Sequence, residues 1–201
     1  FTPSVEKRNK HFVAFNGRIC WHRDYIVNHI ESKYKEKCYY SYIEKNKTLG
    51  IQQSKDSDTG ETLTYEMYNR QHEDWMAKTP YKVINDSYAT VVTESFFEPN
   101  SIAVAFNGID DQGNDDINIK PVGIANGLIT EKTYKSFLFE QPMLLIAFPG
   151  ILAQVKEMGY KTFPEFFDED YDTELHHHTR MHKIIASLDK FMQMDINEVD
   201  K

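Results

Sequence analysis

Short apolar runs alternate with amphipathic stretches along much of this chain. The apolar runs at residues 12–15, in "CYYSY", at Tyr88–Val92 and in "MLLIA" predict strands. Helical spacing predicts helices in "DYIVNHIESKY", with Asp24 as a cap, from about Tyr65 to Met76, at 130–140, in "ILAQVKEMG", and at about 175–194. This alternation favours an α/β class, a Rossmann-like layered domain with a mostly parallel sheet.

Two polar stretches interrupt the pattern. Residues 44–62 contain many turn formers and are predicted to form an exposed loop, and residues 98–127 read as an insertion that carries a hairpin around "SIAVAF". The remaining pattern indicates one α/β domain over 11–195, preceded by a lead-in at 1–10 and followed by a tail at 196–201. Because residue 1 is Phe and not Met, we expect a piece of a longer polypeptide.

The chain is acidic, with a formal net charge of −8 and a pI near 5.5. This charge argues against nonspecific binding to nucleic acid or to an anionic membrane surface. No apolar run approaches the ~20 residues that a membrane-spanning helix needs. The two cysteines, Cys20 and Cys38, form neither a disulfide framework nor a zinc-binding pattern.

Charged residues follow three of the predicted strands. Arg18, His22 and Arg23 come after the first strand, Glu94 follows "YATVV", and Thr130, Glu131 and Lys132 open the helix at 130–140. In open α/β sheets, ligands bind beyond the carboxyl ends of the strands, so these residues can converge on one crevice. Cations and helix amides suit a diphosphate, whereas carboxylates accept hydrogen bonds from ribose or sugar hydroxyls. The sequence has neither a P-loop nor a GxGxxG motif.

Each of these residues also has a purely structural interpretation. The two arginines can be surface charges, and Glu94 can serve the strand end. Thr130 can cap the helix, with Glu131 as a favourable acid in the first turn. Lys132 fits this interpretation least well, because a cation in the first turn of a helix opposes the helix dipole.

The segment "DEDYDTELHHHTRMH" raises the question of a metal site. His178 and His182 are spaced i,i+4, with Asp170 and Asp172 upstream. Three adjacent histidines cannot share one helical face, however, so we expect a structural role and no bound metal.

The motifs at the strand ends resemble those of a known enzyme family. A strand followed by an Arg-bearing loop, a strand that ends in "TES", and the run "ITEKTYKSFLFEQPMLL" resemble the donor-binding half of GT-B glycosyltransferases, and most of all the α1,3-fucosyltransferase family. Residues 129–172 also look like uncharacterised proteins of phages and large viruses. Here "TESF" replaces the family's "FENS", and the insertion separates it from "ITEK".

The resemblance implies the C-terminal half of a GT-B fold and a nucleotide-diphosphate-sugar donor. It places Arg18, or alternatively Arg23, on the donor phosphate, Glu94 at the "FENS" glutamate, Glu131 on the ribose and Lys132 on the diphosphate, with Thr130 beside them. It implies no metal cofactor and a carbohydrate or glycoconjugate acceptor. The catalytic base would lie in an acceptor-binding domain, in the same longer polypeptide or elsewhere, and the location would be cytoplasmic (host cytoplasm for a viral protein).

Three functional hypotheses follow. The first is a glycosyltransferase of which this chain is mainly the donor-binding half. The second is a degenerate, non-catalytic relative that serves as a binding or structural module of a viral protein, with its charges paired among themselves. The third is a metal-dependent hydrolase built on His178 and His182.

Overall fold

A computed structural model of the chain describes residues 8–45, 47–49, 81–98 and 129–195. These contain the strands β1 (Lys10–Asn16), β2 (Cys38–Tyr42), β3 (Lys47–Leu49), β4 (Ser87–Thr93) and β5 (Met143–Ile146). The helices are α1 (Trp21–Lys33), α2 (Tyr81–Asn85), α3 (Glu131–Leu138), α4 (Ile151–Glu157) and α5 (His177–Phe191). The predicted helix at 65–76 and the hairpin around "SIAVAF" lie outside the described residues.

The strands form one sheet in the order β3-β2-β1-β4-β5. Four of them are parallel, and the short β3 pairs antiparallel with β2 at the edge. This arrangement confirms the predicted α/β class with a mostly parallel sheet. The interpretation of 44–62 as loop is wrong at 47–49, because β3 is a short polar edge strand without the apolar alternation that marks a half-buried one.

The chain divides into two compact units, and the division falls between Thr90 and Val91, inside β4. In the first unit, β1 and β2 pair with Phe12 opposite Cys38 and Asn16 opposite Tyr42. Helix α1 buries Ile26, Val27 and Ile30 completely. Each such aliphatic side chain contributes about 1.5–3 kcal/mol when removed from water.

The expected start of α1 is wrong by several residues. Cys20 occupies the N-cap position, and Asp24 lies in the first turn. Distant groups bind the amides just before this helix: Glu44 Oε2 accepts from the Ile19 amide at 2.6 Å and the Tyr42 hydroxyl from the Cys20 amide at 3.4 Å. The first unpaired amide at the helix start, that of Cys20, thus finds its partner outside the local sequence.

The second unit, Val91–Asp195, contains the end of β4, β5 and the helices α3 to α5. The spacing of the last helix predicts one apolar face, formed by Met181, Ile184, Ile185, Leu188, Phe191 and Met192. Helix α5 buries five of these six side chains, whereas Ile185 is only partly buried, and the helix begins at His177, two residues after the expected start. Glycine is the usual residue in the left-handed conformation at a helix end, so the sequence predicts that conformation for Gly159, the last residue of "ILAQVKEMG". Its φ of +86° confirms this. No helix among the described residues is long and apolar enough to cross a membrane.

Candidate functional site

Glu94 follows the last residue of β4 and is anchored at both its backbone and its side chain. Its amide donates to the carbonyl of Ile146, at the end of β5, over 2.9 Å. Its side chain is 1% exposed. The carboxylate accepts from the Thr130 amide at 3.1 Å, the Thr130 hydroxyl at 2.6 Å and the Thr133 hydroxyl at 2.6 Å. Glu94 thus meets the start of α3, as predicted, although 36 positions in the sequence separate it from Thr130.

This contact explains how such a short helix is held. An isolated helix of eight residues is marginal in water. Hydrogen bonds to a charged group contribute about 1.5–3 kcal/mol each, and Glu94 accepts three at one helix end. Because these donors engage both of its oxygens, Glu94 fixes the position of α3, and its assignment to a donor contact stays a prediction.

Thr130 is the N-cap of α3, as predicted. Its backbone is extended, with φ −100° and ψ 178°, and its side chain accepts from the Lys132 amide at 3.4 Å. The capping interpretation is therefore confirmed for Thr130, and the remaining question concerns the lysine.

The ammonium of Lys132 lies among acceptors of its own unit. Nζ is 3.0 Å from the Thr130 hydroxyl, 3.2 Å from Glu131 Oε1 and 3.8 Å from Glu94 Oε2. Two carboxylates thus offset the unfavourable helix dipole at this position. The Lys132 side chain is still 27% exposed.

Glu131 forms an ion pair with the Lys132 ammonium, and its own side chain is 48% exposed. Partial burial raises the pKa of its carboxyl, but the charge of Lys132, the backbone amide of Glu131 itself and the charge of Lys135 outweigh burial and bring the pKa below its ordinary value. Burial lowers the pKa of Lys135 and Lys132 lowers it further, while Glu131 acts in the opposite direction.

Lys135 is a charged residue that the sequence interpretation missed. It lies four residues after Glu131 and three after Lys132, so helical geometry places all three on neighbouring positions of one α3 face. The spacing of the charged residues in "EKTYK" could have indicated from the sequence that Lys135 lies beside Glu131 and Lys132. The cluster of Glu94, Glu131, Lys132 and Lys135, called here the α3 charge cluster, therefore contains two carboxylates and two ammonium groups.

The predicted arginines lie in the first unit, in the segment that follows β1. Arg18 is exposed, and its carbonyl accepts from Arg23 Nη1 at 3.1 Å. Arg23 is buried, as is His22, whose Nε2 is 3.5 Å from Cys20 Sγ. Arg23 therefore holds the loop, and Arg18 is the better placed of the two to meet a ligand. Convergence of either arginine with the α3 charge cluster stays a prediction.

The histidine segment has a structural role at the start of α5. His176 is the N-cap, and its Nδ1 accepts from the Thr179 amide at 3.4 Å. The rings of His177 and His178 lie against each other, with centroids 4.3 Å apart. Within the described ranges, no group of three or more His, Cys, Asp or Glu residues is arranged to hold a metal ion.

Arg180 is a second residue that the sequence interpretation missed. It is fully buried, donates to the carbonyls of Glu174 (2.9 Å) and Phe97, and lies 4.2 Å above the Phe97 ring. Burial lowers its pKa to about 10, although Asp172, Glu174 and nearby Glu98 oppose the shift. Arg180 thus ties α5 to the segment that leaves β4, three residues after Glu94.

Comparison with known proteins identifies no relative: no family model, no curated protein and no solved structure matches the chain. The functional interpretation therefore depends on the residues themselves and on the resemblance of their motifs.

Proposed function

We propose that the second unit binds a nucleotide-diphosphate sugar at the start of α3, as the donor-binding half of a metal-independent, fucosyltransferase-like glycosyltransferase. The observation that carries the proposal is Lys132, a lysine in the first turn of a helix whose side chain is 27% exposed. A lysine there is unfavourable for the helix alone. Glu94 and Glu131 offset that cost inside the protein, and a ligand diphosphate would add to their effect.

In this proposal Glu94 and the residues at the start of α3 have separate roles. Glu94 positions the helix, Thr130 caps it, Lys132 binds the diphosphate, and Glu131 accepts from a ribose or sugar hydroxyl. As the bond between sugar and phosphate breaks, negative charge grows on the departing nucleoside diphosphate. A fixed ammonium next to that charge stabilises the transition state more than the ground state. The acceptor and the catalytic base belong to an acceptor-binding domain.

A screen of nucleotide sugars for thermal stabilisation tests the proposal. A ligand at a hundred times its Kd adds about 2.7 kcal/mol to the free energy of unfolding, which corresponds to a rise in Tm of roughly 5–10 °C for a chain of this size. The expected result is such a rise with one donor and its nucleoside diphosphate. Lys132→Gln should remove it, and Lys161→Gln, the same charge change at an exposed position of the second unit, should keep it.

One observation favours a second candidate, a non-catalytic module that has kept the fold without the donor site. The Lys132 ammonium lies within 4 Å of both Glu94 and Glu131, so the cluster satisfies its own charges. In that case no nucleotide or nucleotide sugar shifts the Tm, and Lys132→Gln lowers the Tm of the protein without any ligand effect. Stabilisation of the wild-type chain, but not of Lys132→Gln, excludes this candidate.

A further inference from the structure

The segment that leaves β4, residues 94–97, is held at both ends by buried contacts, and we call it the 94–97 strap. At its first residue, the Glu94 amide donates to the carbonyl of Ile146 in β5 over 2.9 Å. The Glu94 carboxylate accepts from Thr130 and Thr133 at the start of α3. This end of the strap therefore joins β5 to α3.

The other end of the strap is held by α5. The Phe97 carbonyl accepts from Arg180 Nη2, and the guanidinium carbon of Arg180 lies 4.2 Å from the centroid of the Phe97 ring. Arg180 Nη1 donates to the carbonyl of Glu174 at 2.9 Å, just before α5. Phe97 and Arg180 are both at most 1% exposed. Because a buried charge that loses its partners is costly, Arg180 holds Phe97 firmly.

The two anchors of the strap are close together in the chain. Glu94 and Phe97 are three residues apart, and an extended chain spans at most ~3.6 Å per residue, so they lie within roughly 11 Å of each other. A segment of this length has few conformations that satisfy both anchors. A displacement at Phe97 should therefore change the position of the Glu94 carboxylate.

Helix α3 depends on that carboxylate because its own packing is weak. It has eight residues, and an isolated helix of that length is marginal in water. Its buried residues are Thr133 and Ser136, which are both polar. Burial of apolar side chains therefore does little to hold α3, and the hydrogen bonds of Glu94 become correspondingly important.

We propose that the start of α3, the 94–97 strap and the first turn of α5 open and close as one cooperative unit, in which Arg180 is the residue that positions the Glu94 carboxylate. Proteins open locally in contiguous units of this kind. The proposal goes beyond donor binding and needs no ligand. It implies that a change at the start of α5 is transmitted to the α3 charge cluster.

Hydrogen exchange of the α3 amides in a double-mutant cycle tests the proposal. In the wild-type background, Glu94→Gln should raise the opening constant of α3 about fivefold or more, because it removes one acceptor oxygen. In the Arg180→Met background the strap is already loose, so the effect of Glu94→Gln should be at least about threefold smaller.

Leu188→Ala is the matched control background. Leu188 is as deeply buried in α5 as Arg180 and lies eight residues further along the helix, a distance of about 12 Å. Its truncation should destabilise the second unit without loosening the strap. Glu94→Gln should therefore keep its full effect on the opening of α3 in this background.

The non-additive effect distinguishes positioning from a general contribution of Arg180 to stability, which would leave the effect of Glu94→Gln unchanged. The proposal is overturned if Glu94→Gln has no effect in wild type, if its effect is equal in wild type and Arg180→Met, or if Leu188→Ala reduces it as much. If Arg180→Met does not fold, Phe97→Leu replaces it in the cycle, since it removes the ring beneath the guanidinium and keeps the carbonyl. The same threefold reduction is then expected, and an unchanged effect overturns the proposal.

Discussion

At the scale of single residues, the start of α3 shows how one carboxylate can determine the place of several groups. Glu94 is almost completely buried, yet its two oxygens accept from an amide and two hydroxyls of α3 and lie near the Lys132 ammonium. A buried charge is tolerated only when it is paired in this way. The residue that the sequence interpretation assigned to a donor contact therefore has a prior structural task.

Glu94→Gln tests that task. The amide side chain keeps the shape but has one acceptor oxygen where the carboxylate has two. We expect the free energy of unfolding to fall by about 1–3 kcal/mol, measured by urea denaturation. Glu157→Gln, an exposed glutamate of α4, is the matched control and should change it by less than about 0.5 kcal/mol. Equal effects of the two variants would contradict the positioning role.

Glu131 should make the stability depend on pH in the acid range. Its folded-state pKa lies below the ordinary value of 4.5, so its ionised form stabilises the fold at neutral pH, and this contribution is lost as pH falls through the lowered pKa. The stability deficit of Glu131→Gln should therefore be present at pH 7 and shrink as the pH falls below 4.5. Urea denaturation at several pH values measures it; a deficit that grows in acid would show the opposite sign of shift.

At the scale of elements, the helix ends show what the sequence could and could not predict. Gly159 was predicted as a left-handed residue because glycine favours that conformation. At the end of α3 the same place is taken by Glu140, with φ 51°, while the Gln141 amide donates to the Ser136 carbonyl at 3.2 Å. This is a Schellman-type helix end with a glutamate, not a glycine, in the left-handed position. Residue preferences would not have predicted a helix end at Glu140.

Glu140→Gly should consequently stabilise the protein. Removing the strain of a left-handed non-glycine residue should raise the free energy of unfolding by about 0.5–1 kcal/mol, allowing for the entropy that glycine adds to the unfolded chain. Gly159→Ala, at φ +86° with open space around the new methyl group, should lower it by a similar amount. Thermal unfolding of the two variants should shift Tm in opposite directions, and a lower Tm for Glu140→Gly would contradict this explanation.

Arg180 connects elements that are far apart in the sequence, which is why local patterns did not reveal it. Nothing in "HHHTRMHK" distinguishes it from a surface arginine, and only the fold places Phe97 beneath it. Arg180→Met should lower the free energy of unfolding by about 3 kcal/mol or more, because it leaves the buried carbonyl of Phe97 and the part-buried carbonyl of Glu174 without these donors. Arg18→Met, on an exposed side chain, is the control and should change the free energy of unfolding only slightly. An equally small effect of Arg180→Met would show that its buried contacts contribute little to stability.

At the scale of the whole molecule, the sequence predicted the class of fold and the contact of Glu94 with the segment that begins at Thr130. It did not predict the features that depend on contacts between distant segments. The apolar runs identified β1, β2, β4 and β5, because parallel strands that are buried on both faces consist of nearly continuous hydrophobic residues. The short polar β3, the early start of α1 and the partners of Lys132 all depend on contacts between distant segments. The fold alone does not assign an activity, so the proposed function depends on the α3 charge cluster.

The most direct measurement is therefore calorimetric titration of the full chain with the nucleoside diphosphate of whichever donor stabilises it, compared with Lys132→Gln and Lys161→Gln. We expect saturable binding to wild type and to Lys161→Gln, and an affinity at least about tenfold weaker for Lys132→Gln. Equal affinities for all three proteins, or no binding of any nucleoside diphosphate to the wild-type chain, would contradict a donor site at the start of α3.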